Sequence, residues 1–190
     1  MLSLILASAS PRRRHLLTEH GYSFRVEVAD VSEIAPAHFS PSETVLYNAR
    51  LKAAAVARQF PEALVLGVDT LVAFEGRTLG KPSDFAEAEW MLGLLNGCWH
   101  EVFSGVSLIA PARGRQRHFV EVTRVCFRTL SEGQRRAYLQ RIGPLDKAGA
   151  YAAQDDNGEL IERFDGSFSN VIGLPMEALA PVLHELLHEI

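Results

Sequence analysis

Short apolar runs and helical repeats alternate along the chain, and their order predicts the elements of the fold. Residues 2–7 form a nearly continuous apolar run, which is typical of a buried strand. Pro11 then suits the first turn of a helix that ends near Gly21. The pattern predicts further strands at 24–28, 63–68, 99–110, 116–128, 148–153 and 159–164, and a hairpin over 71–79 that turns at Glu75 and Gly76.

Capping signals predict where the other helices begin. Ser40 with Glu43, and Ser131 with Gln134, have the spacing of capping boxes. We expect two more helices, one over 83–95 and one that starts near Pro175. Since hairpins and crossover connections both occur, the sequence predicts an α/β fold with a mixed sheet flanked by helices, in a single domain over residues 1–190.

Composition narrows the class of protein. The chain has 190 residues, of which 47% are hydrophobic, and a formal net charge of -4, so no overall positive field would hold a nucleic-acid polymer. Its apolar runs are too short to cross a bilayer, and the first residues do not read as a signal peptide, so we expect a cytoplasmic protein. Cys98 and Cys126 lack metal-site spacing and are expected to be reduced thiols.

The loop between the first strand and the first helix is a candidate phosphate site. Ser8 and Ser10 supply hydroxyl groups there, and Arg12, Arg13 and Arg14 follow them. A helix N-terminus carries a partial positive charge, so arginines at that place are unfavourable unless an anion joins them. The alternative is an ordinary capped surface helix with a solvated basic run.

Three other segments carry weaker signals. Asp69 and Thr70 are expected just after a buried strand, where ligands gather in open α/β sheets, although a turn would also account for them. Lys81 stands between Gly80 and Pro82 and could meet a phosphate, or simply belong to a polar loop. Gln154 follows a run of small residues and could bind a base edge, or end a tightly packed strand.

One motif is set aside. Residues 184–188 match the H-E-x-x-H pattern of zinc proteases. Only two residues follow this motif, and Leu186 and Leu187 within it are typical packing residues. We therefore expect no zinc site there.

Taken together and in order, the motifs resemble the Maf family. The matching segments are 8–13, Glu33, 49–53, 67–70, 80–82, 100–106, 146–151 and 166–175. The resemblance implies an elongated mixed sheet in two lobes with a central cleft, similar to the inosine triphosphate pyrophosphatase-like (Maf/Ham1) fold. It also implies a divalent cation, Mg²⁺ or Mn²⁺.

The resemblance further implies roles for residues. Asp69 matches the family's proton acceptor, and Arg12, Thr70 and Gln154 match positions that bear on base choice. On this basis Ser8, Ser10, Arg12 and Arg13 are expected to hold phosphates, Lys52 and Lys81 to add positive charge, and Glu33 and Asp69 to bind the metal. Residues 155–158 depart from the family pattern, in which a glycine usually follows the glutamine.

The resemblance favours a nucleoside triphosphate pyrophosphatase of the dTTP/UTP branch, which would release the monophosphate and pyrophosphate. Modified pyrimidine nucleotides are further possible substrates. One alternative is a pyrophosphatase for purine analogues such as ITP or 7-methyl-GTP. Another is a regulator of septum formation that binds a cell-division partner. A homodimer is expected.

Overall fold

The computed structural model describes residues 2–36 and 38–188 and shows a mixed α/β fold, as the sequence predicts. The strands are β1 Ser3–Leu6, β2 Phe24–Val26, β3 Ala63–Phe74, β4 Arg77–Leu79, β5 Trp99–Ala110, β6 Arg115–Phe127 and β7 Ile161–Asp165. The helices are α1 Pro11–Glu19, α2 Pro41–Ala57, α3 Phe85–Leu95, α4 Glu132–Ile142, α5 Phe168–Ile172 and α6 Met176–His188.

The strands form one mixed sheet in the order β2-β1-β3-β5-β6-β7, with β4 paired to β3. The strand β1 runs parallel to both β2 and β3, through crossovers that contain α1 and α2. The β3–β4 and β6–β7 pairs are antiparallel. Both kinds of connection therefore occur, which confirms the predicted mixed sheet.

The chain separates into two compact units. The first consists of residues 1–70, 104–121 and 173–190, and the second of residues 71–103 and 122–172. The strands β3, β5 and β6 each contribute residues to both. The single domain over 1–190 stays a prediction.

In the first unit, glycine allows α2 to lie directly against the sheet. A Cβ atom on Gly67 of β3 would stand 2.3 Å from the carbonyl oxygen of Ala49 and 2.7 Å from the nitrogen of Ala53. A Cβ atom on Gly105 of β5 would stand 2.3 Å from the carbonyl oxygen of Val45. Since these are backbone atoms of α2, no side chain fits between the helix and the strands.

The predicted helix starts are confirmed by their caps. The hydroxyl of Ser10 accepts a hydrogen bond from the backbone N–H of Arg13, and Pro11 opens α1. Reciprocal capping boxes begin α2 at Ser40 and α4 at Ser131. These signals are local, which is why the sequence places them well.

The second unit packs around an aromatic cluster. His100 is 2% exposed, lies 3.0 Å from the hydroxyl of Tyr151 through Nε2, and meets the rings of Phe127 and Tyr151 edge-on. Burial lowers the pKa of His100 to about 3, so the imidazole is neutral at physiological pH. It therefore serves as a packing residue.

Two predictions of local structure were wrong, and one helix was missed. The strand expected at 63–68 and the first arm of the hairpin expected over 71–79 are one continuous strand, β3. The hairpin itself is confirmed by the antiparallel pairing of β3 with β4. The strand expected at 148–153 is replaced by short 3-10 helices at Ala148–Ala150 and Ala153–Asp155, because Gly149 and Ala150 have positive φ angles of 67° and 62°. The helix α5 was not predicted. Within the described ranges, no helix has the length and apolar character to span a membrane.

Candidate active site

Asp69 lies inside β3, not after a strand end as the sequence suggested. Asp69 is 8% exposed, so its carboxylate is largely buried. The ammonium of Lys52 lies 2.7 Å from Oδ1, and the amide of Asn48 donates to Oδ2 at 3.2 Å. A buried carboxylate needs such partners to remain charged. The expectation that Asp69 closes a turn is therefore excluded.

Lys52 joins two carboxylates. Its Nζ lies 2.8 Å from Oε1 of Glu33 as well as 2.7 Å from Asp69, and it donates to the carbonyl of Val68 at 3.3 Å. The Lys52 side chain is 11% exposed, whereas that of Glu33 is 56% exposed. An ammonium group has a hydrogen for each of these acceptors. The ammonium group of Lys52 therefore lies between the two carboxylates.

Asn48 is a site residue that the sequence analysis missed. It precedes Lys52 by one helical turn, so both side chains leave the same face of α2. Its amide bonds to the N–H and to the carbonyl of Ile34, each at 2.9 Å, and also to Asp69. The helical spacing of Asn48 and Lys52 is the signal that could have found it.

Arg13 is held by the protein through every nitrogen of its guanidinium. Nη1 donates to Ser8 Oγ and to the carbonyl of Val68, both at 3.0 Å. Nε donates to the carbonyl of Gly173 at 2.9 Å, and Nη2 donates to Thr70 Oγ1 at 3.0 Å. Burial lowers the pKa of Arg13 to about 10, and the charge of Asp69 opposes that shift. The side chain remains cationic and ties the loop before α1 to β3.

Hydroxyl groups surround this arginine. Ser8 Oγ accepts from the N–H of Ser10 at 3.2 Å in addition to Arg13. The Thr70 hydroxyl lies 2.8 Å from Ser104 Oγ and 3.4 Å from the carbonyl of Gly173. Since side chains alternate along a strand, Thr70 faces away from Asp69. Arg12 is half-buried at the first turn of α1.

The structure thus brings together most of the predicted residues in the first unit. These are Ser8, Ser10, Arg12, Arg13, Glu33, Lys52, Asp69 and Thr70. Lys81 and Gln154 belong to the second unit, where both are exposed. There the N–H of Gly149 donates to the carbonyl of Gly80 at 3.0 Å, which joins the segments that carry these two side chains.

The segment after Gln154 bears directly on its amide. Nε2 of Gln154 donates to Oδ2 of Asp155 at 2.9 Å. The next carboxylate, Asp156, is buried and accepts from the N–H groups of Gly158, Leu160 and Ile161. The departure from the Maf pattern therefore forms an ordered turn.

The donor set of Glu33 and Asp69 fits a hard divalent cation. Mg²⁺ is commonly bound through one or two carboxylates together with substrate phosphates. In the described part of the chain, no group of three or more His, Cys, Asp or Glu side chains could hold a metal ion. In the H-E-x-x-H motif, Glu185 pairs with Arg117 at 2.8 Å.

Comparison with known proteins gives a consistent result. Residues 3–186 match the family model described as Maf-like protein. A dTTP/UTP pyrophosphatase from Pelotomaculum thermopropionicum is 44% identical over 183 residues, which cover 96% of each chain. Proteins of the same name from Symbiobacterium thermophilum and Bacillus cereus are 45% and 43% identical, over 96% and 97% of this chain and 93% and 90% of theirs.

A solved structure shows the same fold. A HAM1 protein from Coxiella burnetii aligns with a TM-score of 0.53 and 16% identity, over 97% of this chain and 100% of that one. At this identity the likeness concerns the fold alone. It confirms the expected similarity to Ham1 proteins.

Proposed function

The chain belongs to the Maf family, and we propose that it hydrolyses dTTP and UTP to the monophosphate and pyrophosphate. The observation that carries this proposal is the name shared by relatives that match nearly the whole chain. The group of Asp69, Lys52 and Glu33 supports it, because it combines a buried candidate base with an ammonium group and a second carboxylate.

Phosphate binding is proposed at the start of α1. The N-terminus of α1 and the side chain of Arg12 would meet the triphosphate, as helix N-termini commonly bind anions. Ser8, Ser10 and Arg13 already bond to one another or to β3, so they would shape this loop as well as contact phosphate. Lys81 would add charge from the second unit.

Asp69 is proposed to accept the proton of the attacking water. Lys52 and Asn48 each engage one of its oxygens, and a carboxylate oxygen retains further lone pairs for water. Water would attack the α-phosphorus. The bond between the α-phosphorus and the oxygen that bridges it to the β-phosphorus would break, and pyrophosphate would leave with that oxygen. Positioning and charge would supply most of the catalysis, as in phosphoryl transfer generally.

Glu33 and Asp69 are proposed to hold Mg²⁺ or Mn²⁺, which would neutralise phosphate charge as a Lewis acid. Lys52 would then shift from its place between the two carboxylates and contact phosphate. Its long flexible stem permits such a movement.

Base choice is proposed to depend on Gln154 and Thr70. The bond from Gln154 to Asp155 leaves Oε1 as an acceptor, which suits the N3–H of thymine and uracil. Arg13 donates a hydrogen bond to Thr70 Oγ1, so Thr70 would affect the choice of base through that arginine. Modified pyrimidines keep the same edge and are included among the proposed substrates.

The test is a panel of dTTP, UTP, CTP, 5-methyl-UTP, pseudo-UTP, ITP and 7-methyl-GTP with Mg²⁺ or Mn²⁺. We expect turnover concentrated on dTTP and UTP, with pyrophosphate released in place of orthophosphate. Turnover confined to ITP or 7-methyl-GTP would contradict the pyrimidine proposal. Turnover of none of them by the folded protein would contradict the enzymatic proposal.

Location and assembly are proposed on the same basis. The nucleotide pool on which the enzyme would act is cytoplasmic, and we propose that the protein acts there, as a homodimer. A mass measurement in solution tests the dimer. A cell-division partner would be tested by a pull-down repeated with Asp69→Asn, in which retained binding would indicate a role separate from catalysis.

A further inference from the structure

Asn48 lies in the interior of α2, and its side chain is enclosed by the site. The residue is 3% exposed. A buried amide must satisfy its donors and its acceptor, so its partners identify what it holds in place. Those partners belong to the two segments that carry Glu33 and Asp69.

The first of these segments is the loop of Glu33. Oδ1 of Asn48 accepts from the N–H of Ile34 at 2.9 Å, and Nδ2 donates to the carbonyl of Ile34 at 2.9 Å. Ile34 directly follows Glu33. The paired bonds therefore fix the backbone beside a carboxylate whose own side chain is more than half exposed.

The second segment is β3. Nδ2 also donates to Oδ2 of Asp69 at 3.2 Å, while Lys52 contacts the other oxygen of that carboxylate. One amide thus joins the Glu33 loop to Asp69, and it approaches from the same face of α2 as Lys52. Because the amide is short and neutral, this link is more rigid than the one made by the long, charged side chain of Lys52.

We propose that Asn48 is a positioning residue for the reaction, which holds Asp69 and the Glu33 loop at a fixed separation around the cation site. It acts through Asp69 and the Glu33 loop and not on the substrate. This inference rests on the proposed function. Residues that orient metal-binding side chains commonly change metal affinity or activity by about 10–100-fold when they are replaced.

The chain offers a matched control in Asn96. Its Oδ1 accepts from the N–H of Leu130 at 2.8 Å, and its Nδ2 donates to the carbonyl of Leu130 at 3.2 Å. Asn96 thus makes the same pair of hydrogen bonds to one backbone residue, which we call a backbone clamp, in the second unit. No carboxylate is among its partners in residues 2–36 and 38–188. Asn96→Ala therefore reports the cost of losing a clamp alone.

The experiment compares Asn48→Ala, Asn48→Asp and Asn96→Ala with the wild type. Asn48→Asp has nearly the same shape, can still accept from Ile34, and cannot donate to Asp69. We expect both Asn48 variants to lower kcat for dTTP by about 10–100-fold, with KM changed much less. Binding of Mn²⁺ without nucleotide is measured by the decrease of the electron paramagnetic resonance signal of the free ion. We expect Asn48→Ala to bind Mn²⁺ about tenfold more weakly than the wild type. Asn96→Ala should lose stability and keep kcat and Mn²⁺ affinity.

For an active wild type, two results would overturn the proposal. One is wild-type kcat in a folded Asn48→Asp or Asn48→Ala variant, and the other is an equal loss of kcat in Asn96→Ala. If the wild type hydrolyses neither dTTP nor UTP, the proposed function fails by itself, and the Mn²⁺ affinities decide the role of Asn48. An affinity unchanged by Asn48→Ala then overturns it.

Discussion

The ammonium of Lys52 lies 2.7 Å from Oδ1 of Asp69, deep between α2 and β3. Each side chain of this pair is 11% exposed. The same ammonium also reaches Glu33 at 2.8 Å. The ammonium group therefore links the side chains of the two proposed metal ligands.

Asp69→Asn should nearly abolish turnover. The amide has the shape of the carboxylate but cannot accept a proton from water, so kcat for dTTP should fall by about 10²–10⁴-fold. Pyrophosphate release measures the effect. Asp165→Asn, at an exposed position in β7, is the control and should keep full activity. Near-normal turnover by Asp69→Asn would remove Asp69 from the mechanism.

Divalent metal should stabilise Lys52→Met more than it stabilises the wild type. Removing the ammonium leaves two carboxylates facing each other, and their repulsion favours a cation. Mn²⁺ should therefore raise the Tm of Lys52→Met by more than it raises the Tm of the wild type.

Lys147→Met is the control for this shift. Lys147 is also buried and pairs with the carboxylate of Asp146 in the second unit. Its replacement should bring no extra stabilisation by Mn²⁺. Equal Tm shifts in Lys52→Met and the wild type would argue against a metal at Glu33 and Asp69.

Arg13→Lys should reduce stability and activity together. Lysine keeps the charge but cannot bond to Ser8, Thr70 and Gly173 in the fork geometry of arginine. We expect a loss of about 2–3 kcal/mol in the free energy of unfolding. Its kcat/KM should fall by the same factor for dTTP and UTP.

Arg14→Lys, one position further along α1, is the control for Arg13→Lys and should change neither quantity. A change in base preference alone in Arg13→Lys, with stability intact, would contradict the interpretation of Arg13 as a clamp on the phosphate loop.

Gly67→Ala should separate α2 from β3 and so disturb the site. The added Cβ atom would stand 2.3 Å from the carbonyl oxygen of Ala49, a backbone atom that cannot turn aside. The free energy of unfolding, measured by urea titration, should fall by about 3 kcal/mol. Gly93→Ala meets nothing within 4 Å and lies inside α3, so it should stabilise the protein by about 0.5–1 kcal/mol. Equal stability of both variants would contradict the close approach of α2.

Much of the fold could be predicted because its signals are local. The caps at Ser10, Ser40 and Ser131 and the apolar run of β1 each involve only a few consecutive residues. The strand expected at 148–153 was wrong because Gly149 adopts a left-handed conformation, which a run of small residues does not reveal.

The site was harder to predict because its contacts are distant in sequence. Asn48 bonds to Ile34 and Asp69, which lie 14 and 21 residues away, and Arg13 bonds to a carbonyl 160 residues away. The family motifs named Lys52 and Asp69 separately. Their direct pairing follows only from the packing of α2 on β3.

The most direct test of the proposed reaction is hydrolysis of dTTP in water labelled with heavy oxygen, with the products separated and weighed by mass spectrometry. Water activated by Asp69 should attack the α-phosphorus, so the label should appear in dTMP and be absent from pyrophosphate. Label in the pyrophosphate, or orthophosphate as the product, would contradict the central claim.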